Sequence, residues 1–207
     1  ISEAVYEGRL DPMPHTKNRR IILRGEAKKS LRDSGLLFVP VEHEANTQSS
    51  EEEATKLTQL VSQLRECDKT GKRGEPRGRV KLEDILIVAP YNMQVRLLQQ
   101  RLGPAARVGT IDKFQGQEAP VVIVSMCASA GETSPRGIEF LFEKNRLNVA
   151  ISRAQSLAII VGHPALARTH CSTLRQMELV NLYCRAVSEP SSGGPRRASA
   201  PLAIAAI

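Results

Sequence analysis

The chain has 207 residues, and 41% of them are AVILMFWYC, enough for one core or one core with an attached piece; aromatics are only 3% and Trp is absent, so aliphatic side chains must fill it. Its formal charge of +7, with a pI of about 9.5, suits a nucleic-acid partner as well as an ordinary basic protein. No apolar run approaches the ~20 residues of a membrane helix. The four cysteines form no CxxC pair and the four histidines show no ligand spacing, which argues against a disulfide framework or a metal site and fits a reducing, cytoplasmic setting.

In chain order, ISEAVYEGRL (1–10) opens without an initiator Met or a signal-peptide layout, and reads as a piece of something longer. Residues 14–33 are basic and weakly patterned. GLLFVPV (35–41) is the first of four β-branched, nearly continuous apolar runs; DILIVAP (84–90), PVVIVSM (120–126) and SLAIIVG (156–162) are the others. Such runs predict strands covered on both faces, as in a parallel sheet, and ARVGTI (106–111) predicts a shorter fifth strand.

Helical patterns alternate with these strands. Ser50 followed by Glu51, Glu52 and Glu53 places a cap and then acids at the positive end of a helix dipole. Leu57, Leu60, Val61 and Leu64 continue it as an apolar stripe. Further helices are predicted at 92–102, at 143–154 and from Pro164 through the Leu174–Tyr183 region. DKTGKRGEPRGRVK (68–81) reads as a basic loop, and 188–207, rich in Ser, Pro, Gly and Ala, as a disordered tail. The alternation predicts a doubly wound α/β domain with a mainly parallel sheet. No GxxxxGK[ST] phosphate loop occurs, and Glu83-Asp84 precedes its strand where a magnesium-binding acid pair would follow one.

Ligands of doubly wound sheets bind beyond the carboxyl ends of strands. After ILIV, Pro90, Tyr91 and Asn92 open a helix whose free N–H groups suit a phosphate, with Tyr91 placed to stack on a base. The alternative is a first-turn proline and a Tyr packed on the domain edge. After RVGTI, five polar groups crowd into DKFQGQE. There Gly116 allows close approach or an unusual φ, Gln115 and Glu118 suit a sugar or a phosphate-bound water, and Thr110 and Lys113 suit a backbone phosphate. The alternative is a connecting loop. In NRLNVAISRAQ (145–155), Leu147, Ala150, Ile151 and Ala154 make a core face with Arg146 and Arg153 at its margin. Arg153 suits a γ-phosphate, or else an ordinary surface ion pair.

VGTIDKFQGQEAPVVIVSM followed by NRLNVAISRAQSLAIIVG resembles motifs V and VI of superfamily 1 helicases, in the branch that includes the nonsense-mediated-decay RNA helicase and related DNA helicases. ILIVAPYNMQVRLLQQRL resembles the motif between IV and V, and ISEAVYEGRL the stretch after motif IV. The resemblance covers residues 1–187 and extends to bacterial proteins that join a RecB-like nuclease to such a helicase. It implies the second RecA-like motor domain of an ATP-dependent, 5′-to-3′ helicase, with residues 1–34 as a lead-in. Arg153 would be the arginine finger on the γ-phosphate, and Gly116 and Glu118 would face the nucleotide. Gln115 would link the nucleotide and nucleic-acid sites, and Arg146 would join the nucleotide set or support its helix. Pro90, Tyr91, Asn92 and Thr110 would lie along the single-strand track, DNA favoured over RNA. ATP and Mg2+ would be shared with an upstream RecA-like domain that holds the phosphate loop and the magnesium acids, so this chain alone would not hydrolyse ATP. The competing expectation is a truncated or degenerate single-strand-binding module without a motor.

Overall fold

A computed structural model describes residues 18–130, 137–142 and 144–188. Five strands, β2 (Gly35–Pro40), β5 (Ile85–Val88), β6 (Arg107–Gly109), β7 (Ala119–Ser125) and β8 (Ala154–Gly162), form one sheet in the order β2-β8-β7-β5-β6, with every neighbouring pair parallel. Parallel pairing forces each connection to cross the sheet, so both faces are covered and the strands are apolar throughout. Successive side chains divide between the faces: Ile85 and Ile87 enter one core cluster, Leu86 and Val88 the other.

The first face is covered by α2 (Glu51–Arg65) and α3 (Asn92–Leu102), with Leu57, Leu60, Val61, Leu64, Val95 and Leu98 buried on it. The second is covered by α4 (Gly137–Leu141), α5 (Lys144–Ser152) and α6 (Leu174–Ser188), through Leu147, Ala150, Ile151, Leu179, Val180 and Tyr183. This is the doubly wound α/β, RecA-like fold that the sequence predicts. No helix among the described residues is long and apolar enough to cross a membrane.

Three expectations change. The stretch 68–81, read as a loop, folds into strands β3 (Asp68–Thr70) and β4 (Pro76–Arg79), and β1 (Ile21–Ile22) from the lead-in segment completes a second, antiparallel sheet in the order β1-β3-β4. The short helix α1 (Ala27–Ser30) follows β1. These strands are too short to show a period, and β4 is fully exposed; what anchors the sheet is the burial of Ile21, Cys67 and Val80 and the Lys69–Asp84 ion pair at 2.5 Å. The helix predicted from Pro164 is broken: a 3-10 turn at Pro164–Arg168 ends on the extended Thr169, and α6 begins only at Leu174. The helix predicted over 143–154 ends at Ser152, because β8 already starts at Ala154. Residues 1–17 and the tail beyond Ser188 lie outside the described residues.

The end of β8 is tightly packed. A Cβ on Gly162 would stand 2.7 Å from the Tyr183 hydroxyl and 3.0 Å from Met126 Cγ. That hydroxyl donates to His163 O at 2.9 Å, so it has little freedom to retreat. Gly162→Ala is therefore expected to destabilise the chain by about 1–3 kcal/mol, read as a lower urea midpoint at unchanged slope.

Candidate functional site

The candidate residues divide between the two ends of the sheet. Pro90, Asn92 and Thr110 lie at the carboxyl ends of β5 and β6, where the sequence places them. Gln115, Gly116, Glu118 and Arg153 instead lie at the amino ends of β7 and β8. The cause is topological: β6 and β7 are parallel and flank β5, so the segment 110–118 must return the chain from one end of the sheet to the other.

At the carboxyl ends, Pro90 and Thr110 are half-buried and share with Met126 and Phe140 the lining of a small, mainly apolar cavity of about 30 Å³. That volume suits about one water molecule and no base. Asn92, the first residue of α3, is exposed. Tyr91 is 5% exposed and its ring centre stands 5.3 Å from that of Phe140. Packed this way, its ring offers no open face to a base, and the edge-packing alternative describes it.

The crossing segment is a 3-10 turn over Ile111–Phe114, anchored by the buried Phe114. Lys113 is exposed; its Nζ donates to Val108 O at 3.1 Å and lies 5.8 Å from the centre of the Phe114 ring. Gly116 has φ +79° with open space where a Cβ would be, so the backbone, not crowding, selects glycine. Gln115 is exposed. Gln117 Oε1 accepts from Arg107 Nη2 at 2.8 Å, while Arg107 Nη1 donates to Glu83 O at 2.9 Å.

At the amino ends, Ala119 N–H donates to Arg153 O at 3.1 Å, and Gln155 Nε2 donates to Glu118 Oε2 at 3.2 Å, so β7 and β8 hold the two predicted nucleotide-facing segments together. Arg153 N–H also donates to Ala150 O at 3.2 Å, fixing its backbone from both sides. Its Nε is buried and has no hydrogen-bond partner among the described residues. A buried N–H without an acceptor costs about 1–3 kcal/mol, and here it belongs to a cation. Arg146 falls within α5, and its side chain lies outside the described set. Among the described residues no three His, Cys, Asp or Glu side chains come together as metal ligands.

A second polar cluster escaped the sequence reading. Glu53 was legible only as one of three acids after a cap, yet it is fully buried. Ser50 Oγ does cap α2 by accepting Glu53 N–H at 3.1 Å. In a capping box the Glu would turn back to Ser50 N–H. That N–H is served instead by Gln94 Oε1 at 2.8 Å, which frees the Glu53 carboxyl to turn inward. It accepts Cys127 N–H with both oxygens at 3.0 Å and Ser125 Oγ–H at 2.6 Å, and His43 Nε2 lies 3.1 Å from it. Ser–x–x–Glu spacing was the only sequence signal, and it points to the usual cap.

Cys127 has φ +52°, and Ala128 N–H donates to Met126 O at 2.8 Å, so the residue sits at the centre of a γ-turn. A side chain at this φ stores about 1–3 kcal/mol. Burial, and then the nearby Glu53, push the Cys127 thiol well above its ordinary pKa. The His163 ring stands 5.2 Å from that of His43, and burial followed by that neighbour lowers its pKa.

The sequence model of a family described as an AAA domain matches residues 1–165. An uncharacterized ATP-dependent helicase of Caenorhabditis elegans is 40% identical over 90 residues, 43% of this chain and 6% of that protein. DNA polymerase alpha-associated DNA helicase A of Schizosaccharomyces pombe is 40% identical over 86 residues, 40% of this chain and 13% of that one. DNA-binding protein SMUBP-2 of Rattus norvegicus is 34% identical over 94 residues, 44% of this chain and 9% of that protein. The matched stretch is thus a small fraction of the length of each relative.

Proposed function

Because the chain belongs to this AAA-domain family and is of the helicase motor type, we propose that it is the second RecA-like domain of an ATP-dependent superfamily 1 helicase. Arg153 is the arginine finger, and Gly116 and Glu118 complete its side of the nucleotide site. Pro90, Asn92, Thr110 and Lys113 form part of a single-strand track, DNA favoured over RNA, with Tyr91 supporting it through Phe140. The observation that carries this reading is that Arg153 and Glu118 come together at one end of the sheet: Ala119 N–H donates to Arg153 O at 3.1 Å, and Gln155 Nε2 donates to Glu118 Oε2 at 3.2 Å. The γ-phosphate of ATP would meet the terminal N–H groups of the Arg153 guanidinium. During hydrolysis the guanidinium would stabilise the charge that spreads over the transferring phosphoryl oxygens.

The segment 110–118 has one end among the strand-facing residues and the other among the nucleotide-facing ones. A shift of either end would move the other, which is how hydrolysis would change the grip on the strand. The phosphate loop and the acids that hold Mg2+ belong, on this reading, to an upstream RecA-like domain, in a cytoplasmic parent protein that also carries a RecB-like nuclease. This chain alone then binds strand weakly and turns over no ATP.

The track is tested by salt. Affinity of the chain for a labelled single-stranded oligonucleotide should fall log-linearly as salt rises, and Lys113→Ala should reduce the slope by about 0.7. Undetectable binding at low salt would remove the track. The reading as a strand-binding module without a motor is motivated by the formal charge of +7 and the basic stretches at 17–32 and 69–81. It predicts that joining the chain to a phosphate-loop domain leaves ATP turnover at that domain's own rate.

A further inference from the structure

The motor reading makes no use of the cluster around Glu53. That cluster lies at the carboxyl ends of β2, β7 and β8, the same end of the sheet as Pro90 and Thr110. Met126 connects the two: it shares a cavity lining with Pro90 and Thr110, its N–H donates to Val161 O at 3.0 Å, and its C=O closes the γ-turn. A residue with a Cβ disfavours φ +52°, so the turn persists only while something outside it grips Cys127. Glu53 does so with both carboxyl oxygens. Ser129 is held from the other side, its N–H on Asn46 O at 2.9 Å, its Oγ accepting Asn46 N–H at 3.0 Å and lying 2.7 Å from His43 Nδ1.

We propose that Glu53 is a positioning residue for strand binding: by holding the strained turn at Cys127 it sets Met126, and with it the rim at Pro90 and Thr110, against which a single strand runs. The inference rests on the reading that the carboxyl ends carry the strand. Glu53 touches neither strand nor nucleotide and acts only through the turn.

A role in stability alone is separable from this one, because Cys127→Gly moves the two properties in opposite directions. Glycine adopts φ +52° without strain, so the turn no longer needs its grip. The same change empties the space of a fully buried thiol and lowers stability. The experiment measures fluorescence anisotropy of a labelled single-stranded DNA oligonucleotide with the 207-residue chain at low salt, and the melting temperature alongside. Glu53→Gln is expected to weaken binding about tenfold, the loss of one charge-assisted grip. Glu53→Gln with Cys127→Gly should recover most of that affinity while melting below Glu53→Gln itself. Ser129→Ala, at a half-buried position, should weaken binding in the same direction and carries the test if the Glu53 variants do not fold. Unchanged affinity in Glu53→Gln and Ser129→Ala, with normal binding by the parent chain, overturns the inference and leaves the strand track standing. A loss that Cys127→Gly fails to recover assigns Glu53 to stability alone and also overturns it. No binding by the parent chain removes the track and this inference with it.

Discussion

Replacing Arg153 with alanine is expected to lower ATP turnover by about a thousandfold or more in a protein that joins this domain to its phosphate-loop partner, with nucleotide affinity nearly unchanged. The size follows from what the side chain would do. A finger engages charge that builds up on the γ-phosphoryl group during transfer, so its loss falls on kcat and little on ground-state binding. Arg153→Lys should restore little, because a single ammonium cannot reproduce the planar fork of donors. A second readout separates this from a folding defect. Among the described residues the Nε of Arg153 is buried without a partner, so its removal relieves a cost. The alanine variant of the 207-residue chain should therefore melt no lower than the parent. Turnover near the parent value in the joined protein would dismiss the finger assignment, and a large fall in melting temperature would mean that the side chain stabilises the fold.

Much of this arrangement was legible before the fold was known, for physical reasons that differ by element. The runs at Ile85–Val88 and Ala119–Ser125 were readable because a strand buried on both faces must be apolar at every position. The stripe of α2 and its Ser50 cap were readable because a helix on one face shows its period and its unpaired N–H groups need an acceptor. The β1-β3-β4 sheet was not, since β1 is only two residues long and the short β3 and β4 carry charge where a period would show. The separation of Thr110 from Glu118 was also invisible. Eight residues apart in sequence, they are sent to opposite ends of the sheet by the order β7-β5-β6, a long-range property that no local pattern encodes. Glu53 was missed for a related reason: it was legible only as one of three acids at the positive end of a helix dipole, and Gln94, 44 residues away from Ser50, serves the Ser50 N–H and leaves the Glu53 carboxyl to turn inward.

Glu53→Ala is expected to destabilise the chain by about 3–5 kcal/mol, the second large effect. Truncation leaves Cys127 N–H, the Ser125 hydroxyl and the near edge of His43 around a space from which water is excluded. Each buried donor without an acceptor costs about 1–3 kcal/mol, but they do not add in full. The Ser125 hydroxyl already accepts from Gln94 Nε2 at 3.0 Å, and its proton can rotate in search of another acceptor. Cys127 N–H has no such freedom, because its turn is strained without the grip, so its cost stays with the fold or is relieved by opening the turn. Against a typical total stability of about 5–15 kcal/mol, the loss brings the domain close to unfolding at ambient temperature. Glu53→Gln keeps the shape and one acceptor oxygen and should cost less than half as much. Urea unfolding of both variants at equal slope measures the difference. A loss below about 1 kcal/mol for the alanine variant would mean that water reaches and serves these donors, and a cluster open to water could not hold Cys127 in its turn.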